Sequence, residues 1–265
     1  MPLPSIEIIV EALAVVGLIG VLSLRFRILN LKGVIASVPV GLSIYIFGGR
    51  EFFILLLVFY VLSSAATWLR VRYFRIEVID KEWVRGWRNV AANGIVAASA
   101  ATLNILSNKS CFNPYLAAYL GAVGTAFADT LATEIGLLYP RNPRLIVSMK
   151  KVPRGTPGAV SPYGYLASIL ALSIFAAILS ICGKVRLIPS LYIAGLIGVT
   201  IDSILGGTVQ AHYRCVVCGK ETENPMHCGR KAEKISGVGV INTHTVNFLS
   251  TLAGAVIASL LFYVT

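Results

Sequence analysis

Charge is scarce in this chain. Lys, Arg, Asp and Glu make up only 13% of 265 residues, and 56% are hydrophobic, where an ordinary soluble domain carries about 25% charge. A water-soluble globule is therefore excluded. Histidine occurs three times, at His212, His227 and His244, all in or beside one loop, so chemistry within the apolar segments has no imidazole base to call on. The Walker A pattern GxxxxGK[ST] and the kinase-type GxGxxG are both missing, which excludes the usual phosphate-cradling loops of soluble nucleotide enzymes. A cleavable leader is not expected, because Met1–Ser5 has no positive n-region and the first apolar run contains Glu7 and Glu11. Those glutamates read as a wetted first helical turn after Pro4 and Ser5. The chain also has no long internal repeat and no low-complexity segment.

What is present is apolar sequence in lengths that cross a bilayer, about 17 to 25 residues each. Such runs fall at 6–24, 29–47, 52–69, 90–106, 114–138, 163–181, 188–209 and 245–264. The expected fold is all-α, a polytopic integral membrane bundle of about eight helices in a single domain over 1–265, with polar loops near 70–88, 139–162 and 211–242. The net charge of +11 does not call for nucleic acid. Nineteen of the 23 Lys and Arg lie in the loops after helices 1, 3, 5 and 7, and the other loops hold Arg50, Lys109, Lys184 and Arg186. Alternation of this kind follows the positive-inside rule, so the basic loops are expected in the cytoplasm and both termini outside.

Against that background two acidic segments stand out. GTAFADTLATEIG (Gly124–Gly136) carries Asp129 and Glu134, and GLIGVTIDSILGGTVQ (Gly195–Gln210) carries Asp202. An ionisable group at the centre of a membrane helix costs about 2.5–3.5 kcal/mol on insertion scales, so it belongs against a cavity, an ion or a partner helix. Thr125, Asp129 and Thr133 share one helical stripe, with Thr130 and Glu134 on the next. Asp129 and Glu134 are about 140° apart around the axis, so Glu134 is expected to reach a neighbouring helix or loop. The glycines of both segments permit close approach. Asp129 and Asp202, on separate helices, are a candidate divalent-cation pair; the alternative is two unrelated interhelical hydrogen bonds.

Four further stretches carry polar chemistry. KEWVRGWRNVAANG (Lys81–Gly94) spaces Arg85, Asn89 and Asn93 four apart, flanked by Trp83 and Trp87 as interface anchors. The last segment places Asn247 and Thr251 one turn apart. The loop Tyr139–Gly164 combines Lys150, Lys151 and Arg154 with Gly155 and several prolines. A basic loop of that kind suits phosphate, and lipid headgroups equally. In the seventh loop, Cys215, Cys218, His227 and Cys228 offer the soft ligands of tetrahedral zinc. His227 and Cys228 are adjacent, which makes a shared ion difficult, and idle or redox-active thiols stay open as the other reading. Cys111 and Cys182 have no obvious partner.

VRGWRNVAANG, GTAFADTLATEIG, VPRGTPGAVSPYG, the IDSILGGTVQ helix, the CVVC and HCG loop and NTHTVNFLSTLAG, in that order, resemble a membrane family long catalogued as being of unknown function. That family includes phytyl-phosphate kinase of plants and cyanobacteria together with archaeal homologues. A more distant likeness connects the chain to dolichol kinase and CDP-diacylglycerol synthase. The resemblance implies a kinase that moves the terminal phosphate of a nucleoside triphosphate, CTP favoured, onto an isoprenoid monophosphate such as phytyl or geranylgeranyl phosphate at the bilayer. By matching motif, it implies Mg²⁺ on Asp129 and Asp202, and phosphate binding by Lys150, Lys151, Arg154 and Gly155. It places Arg85, Arg88, Asn89, Asn93 and Asn247 around the polar pocket, with Thr130, Thr133, Glu134 and Ser203 beside the acids. Glu134, inside the ADTLATE motif, is counted with the substrate- or nucleotide-binding residues, and the resemblance does not specify its role further. Rival readings of the same residues are a secondary transporter or ion channel, a CTP-dependent lipid nucleotidyltransferase, and a prenol kinase.

Overall fold

The computed structural model describes residues 5–76, 83–107 and 113–264. Lys81, Lys109 and Cys111, and the middle of the expected 70–88 loop, lie outside them. Among the described residues the chain forms eight long helices. They are α1 (Ile6–Arg25), α2 (Leu31–Ser43, continued by a π turn to Gly48), α3 (Arg50–Trp68, continued to Tyr73) and α4 (Trp87–Leu103). The second half holds α5 (Pro114–Gly136), α6 (Pro162–Ile181), α7 (Ile188–Thr208) and α8 (Thr243–Leu261). Asparagine or serine caps open α2, α5, α6 and α8, each accepting a hydrogen bond from a first-turn N–H.

Seven of these helical segments are long and apolar enough to span a membrane on their own composition. The exception is α5, diluted by Asp129, Glu134 and its threonines, and it is the helix at the centre. It packs against α3, α4, α6, α7 and α8. Its run from Tyr119 to Ala128 is continuously buried, and the Phe127 ring stacks between Phe59 of α3 and Phe175 of α6.

Small residues set these contacts. A Cβ at Gly121 would meet the backbone of Gly254 on α8, and one at Gly198 of α7 or at Gly254 would meet Thr125. Gly124 and Gly195 lie against leucine side chains of neighbouring helices. The glycine faces of α5 and α7 therefore serve mainly helix-to-helix approach rather than bringing the acids toward a ligand, because Thr125 fills the space between the two helices and α8.

Short strands decorate one rim. β1 (Arg144–Leu145) pairs antiparallel with β2 (Ala159–Val160) inside the α5–α6 loop. Between α7 and α8 come β3 (His212–Arg214), β4 (Glu221–Thr222), β5 (Met226–His227), β6 (Arg230–Lys231) and β7 (Glu233–Ser236). They form a three-stranded sheet, β4-β3-β7, and a separate β5-β6 hairpin.

Candidate functional site

The ends of α3, α5 and α7 and the starts of α2, α4, α6 and α8 meet around one polar cleft of about 690 Å³. Asp129 enters it from α5 and Asp202 from α7, both half-buried. The Ser250 hydroxyl on α8 donates to the Asp202 carboxylate at 2.9 Å, which orients it. Thr130, Thr133, Ser203, Arg85, Arg88, Asn89, Arg154, Gly155 and Asn247 line the same cleft. So do Lys32 and Gln210, and Thr156, Tyr165 and Tyr213, the last three of which sequence reasoning did not single out.

The basic Gly/Pro loop is held against α7 backbone to backbone. Gly158 has φ +76° and sits where a side chain would collide with Gly207 and the Ser203 carbonyl. Gly206 faces the Gly158 amide in the same way. This contact lies one turn beyond Asp202, and it brings Arg154 and Gly155 into the acid-lined cleft. Elsewhere on the cleft, the Asn30 N–H donates to the Arg85 carbonyl and the Arg85 N–H donates to the Ile28 carbonyl. Gly33 packs on the Arg85 carbonyl, which clamps the start of α4 beside that of α2.

Lys150, Lys151 and Asn93, expected at the site, are not among the residues that line the cleft. Both lysines are exposed at the outer turn of the β1–β2 element, where the Lys150 carbonyl accepts from Leu145 N–H. The Asn93 amide donates to the Asn89 carbonyl of its own helix, 3.0 Å away. It lines instead a second, apolar cavity of about 110 Å³ walled by Val16, Ile19, Val40, Phe53 and Phe59. That cavity shares Arg85 and Asn89 with the polar cleft.

Glu134 reaches a neighbouring helix, as its angular offset from Asp129 predicts. Its carboxylate takes Arg70 Nε of α3 at 2.5 Å and the Thr67 hydroxyl at 3.0 Å. The two charged side chains are 2% and 9% exposed. Arg70 also donates to the Ile76 carbonyl at 2.6 Å, and Arg85 Nη2 lies 3.4 Å from Thr67. Burial pulls the Arg85 guanidinium below its ordinary value, and the Glu134 charge opposes that shift. Arg70 reads in the sequence as one more basic residue after an odd helix. Its spacing of three from Thr67 was the one local sign of an inward-facing role.

Beyond the cleft, Cys215, Cys218, His227 and Cys228 converge, their ligand atoms all within 4.8 Å of one another. Among the described residues this is the sole group of three or more His, Cys, Asp or Glu side chains arranged in that way. The Cys215 thiol is drawn down to about 6, chiefly by the Cys218 backbone N–H. That of Cys228 is pushed up to about 11, chiefly by its hydrogen bond with the Cys218 side chain.

The family model "Integral membrane protein DUF92" matches residues 14–255. The chain is 31% identical to Protein PGR of Arabidopsis thaliana over 278 residues, 95% of each chain. It is 27% identical to the uncharacterized membrane protein MJ0933 of Methanocaldococcus jannaschii over 268 residues, 99% of each. To Protein VTE6, chloroplastic, of Arabidopsis thaliana it is 26% identical over 161 residues, 59% of this chain and 48% of the relative. No solved structure matches.

Proposed function

We propose that this chain, which belongs to the DUF92 family of integral membrane proteins, transfers the terminal phosphoryl group of a nucleoside triphosphate, CTP by family likeness, to an isoprenoid monophosphate. The observation that carries this reading is the shared cleft. Asp129 and Asp202, from two different helices, face one polar space together with Arg88, Arg154 and the Gly155 loop.

The donor set fits magnesium. Hard carboxylate oxygens in a hydroxyl- and amide-lined cleft are what that ion takes, with water completing its shell. Asp129 and Asp202 would hold it, and it would supply neutralisation of the charge that develops on the transferring phosphoryl group. Ser250 holds the Asp202 carboxylate in place. Arg154 and Arg88 bring positive charge to two anionic substrates, and the Gly158–Gly206 contact anchors the loop that carries Arg154 to the rim of the same cleft. The acceptor oxygen attacks the γ-phosphorus, the bond to the β-oxygen breaks, and the nucleoside diphosphate leaves.

A phosphate monoester has a second pKa of about 6, so at neutral pH its attacking oxygen is mostly deprotonated already. That agrees with Glu134 being occupied by Arg70 and Thr67 and so not placed as a general base, which a prenol acceptor would want. The apolar cavity between α1, α2, α3 and α4 suits the first part of an isoprenoid tail, with its phosphate near Arg85 and Asn89. In this reading the rim with the basic loops faces the cytoplasm and both termini lie outside.

The test is direct. Purified protein in nanodiscs, given geranylgeranyl or phytyl phosphate, Mg²⁺ and each γ-labelled triphosphate in turn, is expected to put label into an extractable lipid diphosphate. Asp129→Asn should remove that transfer while membrane insertion persists. Release of pyrophosphate with a CDP-lipid would instead identify a nucleotidyltransferase, and no labelled lipid with any triphosphate would overturn the proposal.

A further inference from the structure

We propose that the hairpin module between α7 and α8 is a structural zinc site, with Cys215, Cys218 and Cys228 as thiolate ligands and His227 binding through Nδ1. The ion fixes the Glu223–Pro225 turn as one wall of the cleft. This inference stands apart from the reaction proposed above and does not depend on it.

The ligands sit on two tight turns. Cys215 and Cys218 bracket the β3–β4 turn, which closes at Gly219 with φ +71°. His227 and Cys228 occupy the β5–β6 turn. Adjacent residues ordinarily point apart, but Cys228 has φ +51° and Gly229 φ +71°. That left-handed pair swings the Cys228 sulfur to 3.2 Å from His227 Nδ1, with the Cys218 sulfur 3.6 Å from the same nitrogen. Zinc bonds of about 2.0–2.1 Å to nitrogen and about 2.3 Å to sulfur put tetrahedral ligand atoms roughly 3.5–3.8 Å apart; the two nitrogen–sulfur spacings bracket the lower end of that range, and all four ligand atoms lie within 4.8 Å of one another. Backbone N–H groups of Val217 and Cys218 point at the Cys215 sulfur from 3.4 and 3.5 Å, as donors to a thiolate do. Three thiolates around Zn²⁺ leave one negative charge, and Lys220, Arg230 and Lys231 follow the ligand turns in sequence.

The strands that carry these turns are two to four residues long, too short to persist unaided. Between β4 and β5, Glu223, Asn224 and Pro225 line the cleft beside Tyr213 of β3. Clamping β3–β4 to β5–β6 is thus what holds that turn over the polar site.

The experiment uses the full chain in detergent, purified without a metal-affinity resin. Elemental analysis should find one zinc per chain, and exchange with Co²⁺ should give the intense visible bands of a tetrahedral thiolate complex. Cys218→Ser and His227→Ala should each lose the metal. Chelation should raise hydrogen exchange across residues 212–236 while α5 and α7 stay protected. Substoichiometric zinc, a pale octahedral cobalt spectrum, or a Cys215–Cys218 disulfide by mass spectrometry would overturn the site. Stoichiometric zinc whose removal leaves residues 221–227 equally protected would overturn its role as a wall.

Discussion

Gly158→Ala isolates the contact that joins the basic loop to α7. The residue has φ +76°, and its added Cβ would fall 2.7 Å from the Ser203 carbonyl oxygen and closer still to Gly207 backbone. Carbon contacts settle at about 3.5–4.0 Å, so the loop must lift by roughly 1 Å. The left-handed backbone costs about 1–2 kcal/mol and the overpacking about 1–3 kcal/mol more. Gly183→Ala, in the α6–α7 turn, is the matched control: φ is +70° and nothing lies within 4 Å of its Cβ position, so only the backbone penalty applies. A displacement of about 1 Å at a reacting centre can lower a rate about 100-fold. The assay is the initial rate of γ-label transfer in nanodiscs, with thermal unfolding alongside. Gly158→Ala should lose far more activity than Gly183→Ala, and equal losses in both rate and stability would refute the reasoning.

Two further outcomes follow from the same geometry. Glu134→Ala leaves the Arg70 guanidinium buried without its counter-charge, so unfolding in detergent should be destabilised by about 3–5 kcal/mol; a loss under about 1 kcal/mol would mean that the pair is solvated. Arg154→Ala should raise the nucleotide KM by roughly tenfold or more, the equivalent of one charge-assisted hydrogen bond, whereas Lys151→Ala, outside the cleft, should change it less than about twofold. The reverse order would place the phosphates on the outer turn of the loop.

The eight helices are legible because lipid demands unbroken apolar length, and the expected runs agree with the helices within a few residues at most ends. The family is legible as well, from six motifs in order. Asp129 and Asp202 can be picked out since a carboxylate within an apolar run has few cheap environments. Other parts of the site leave weaker traces. Ser250 is one hydroxyl in a serine- and threonine-bearing helix, and only the α7–α8 packing shows that it meets Asp202. Arg70 is hidden by a rule that explains every basic residue near a helix end as orientation. Lys150 and Lys151 look like phosphate ligands by composition, but the β1–β2 pairing turns them outward and leaves Arg154 facing in. The adjacency of His227 and Cys228 argues against a common ion in an extended chain; the left-handed pair Cys228–Gly229, which brings the Cys228 sulfur to 3.2 Å from His227 Nδ1, leaves no mark in the spacing.

The central place of α5 has a consequence for how the protein is made. Of the helices it packs on, α3 and α4 precede it in the chain and α6, α7 and α8 follow it; it is also the long helix whose own composition falls short of a membrane span. While the ribosome is still adding α6, α7 and α8, α5 lacks three of its five helical neighbours. The contacts that bury Tyr119–Ala128 are therefore complete only once the C-terminal helices have been made.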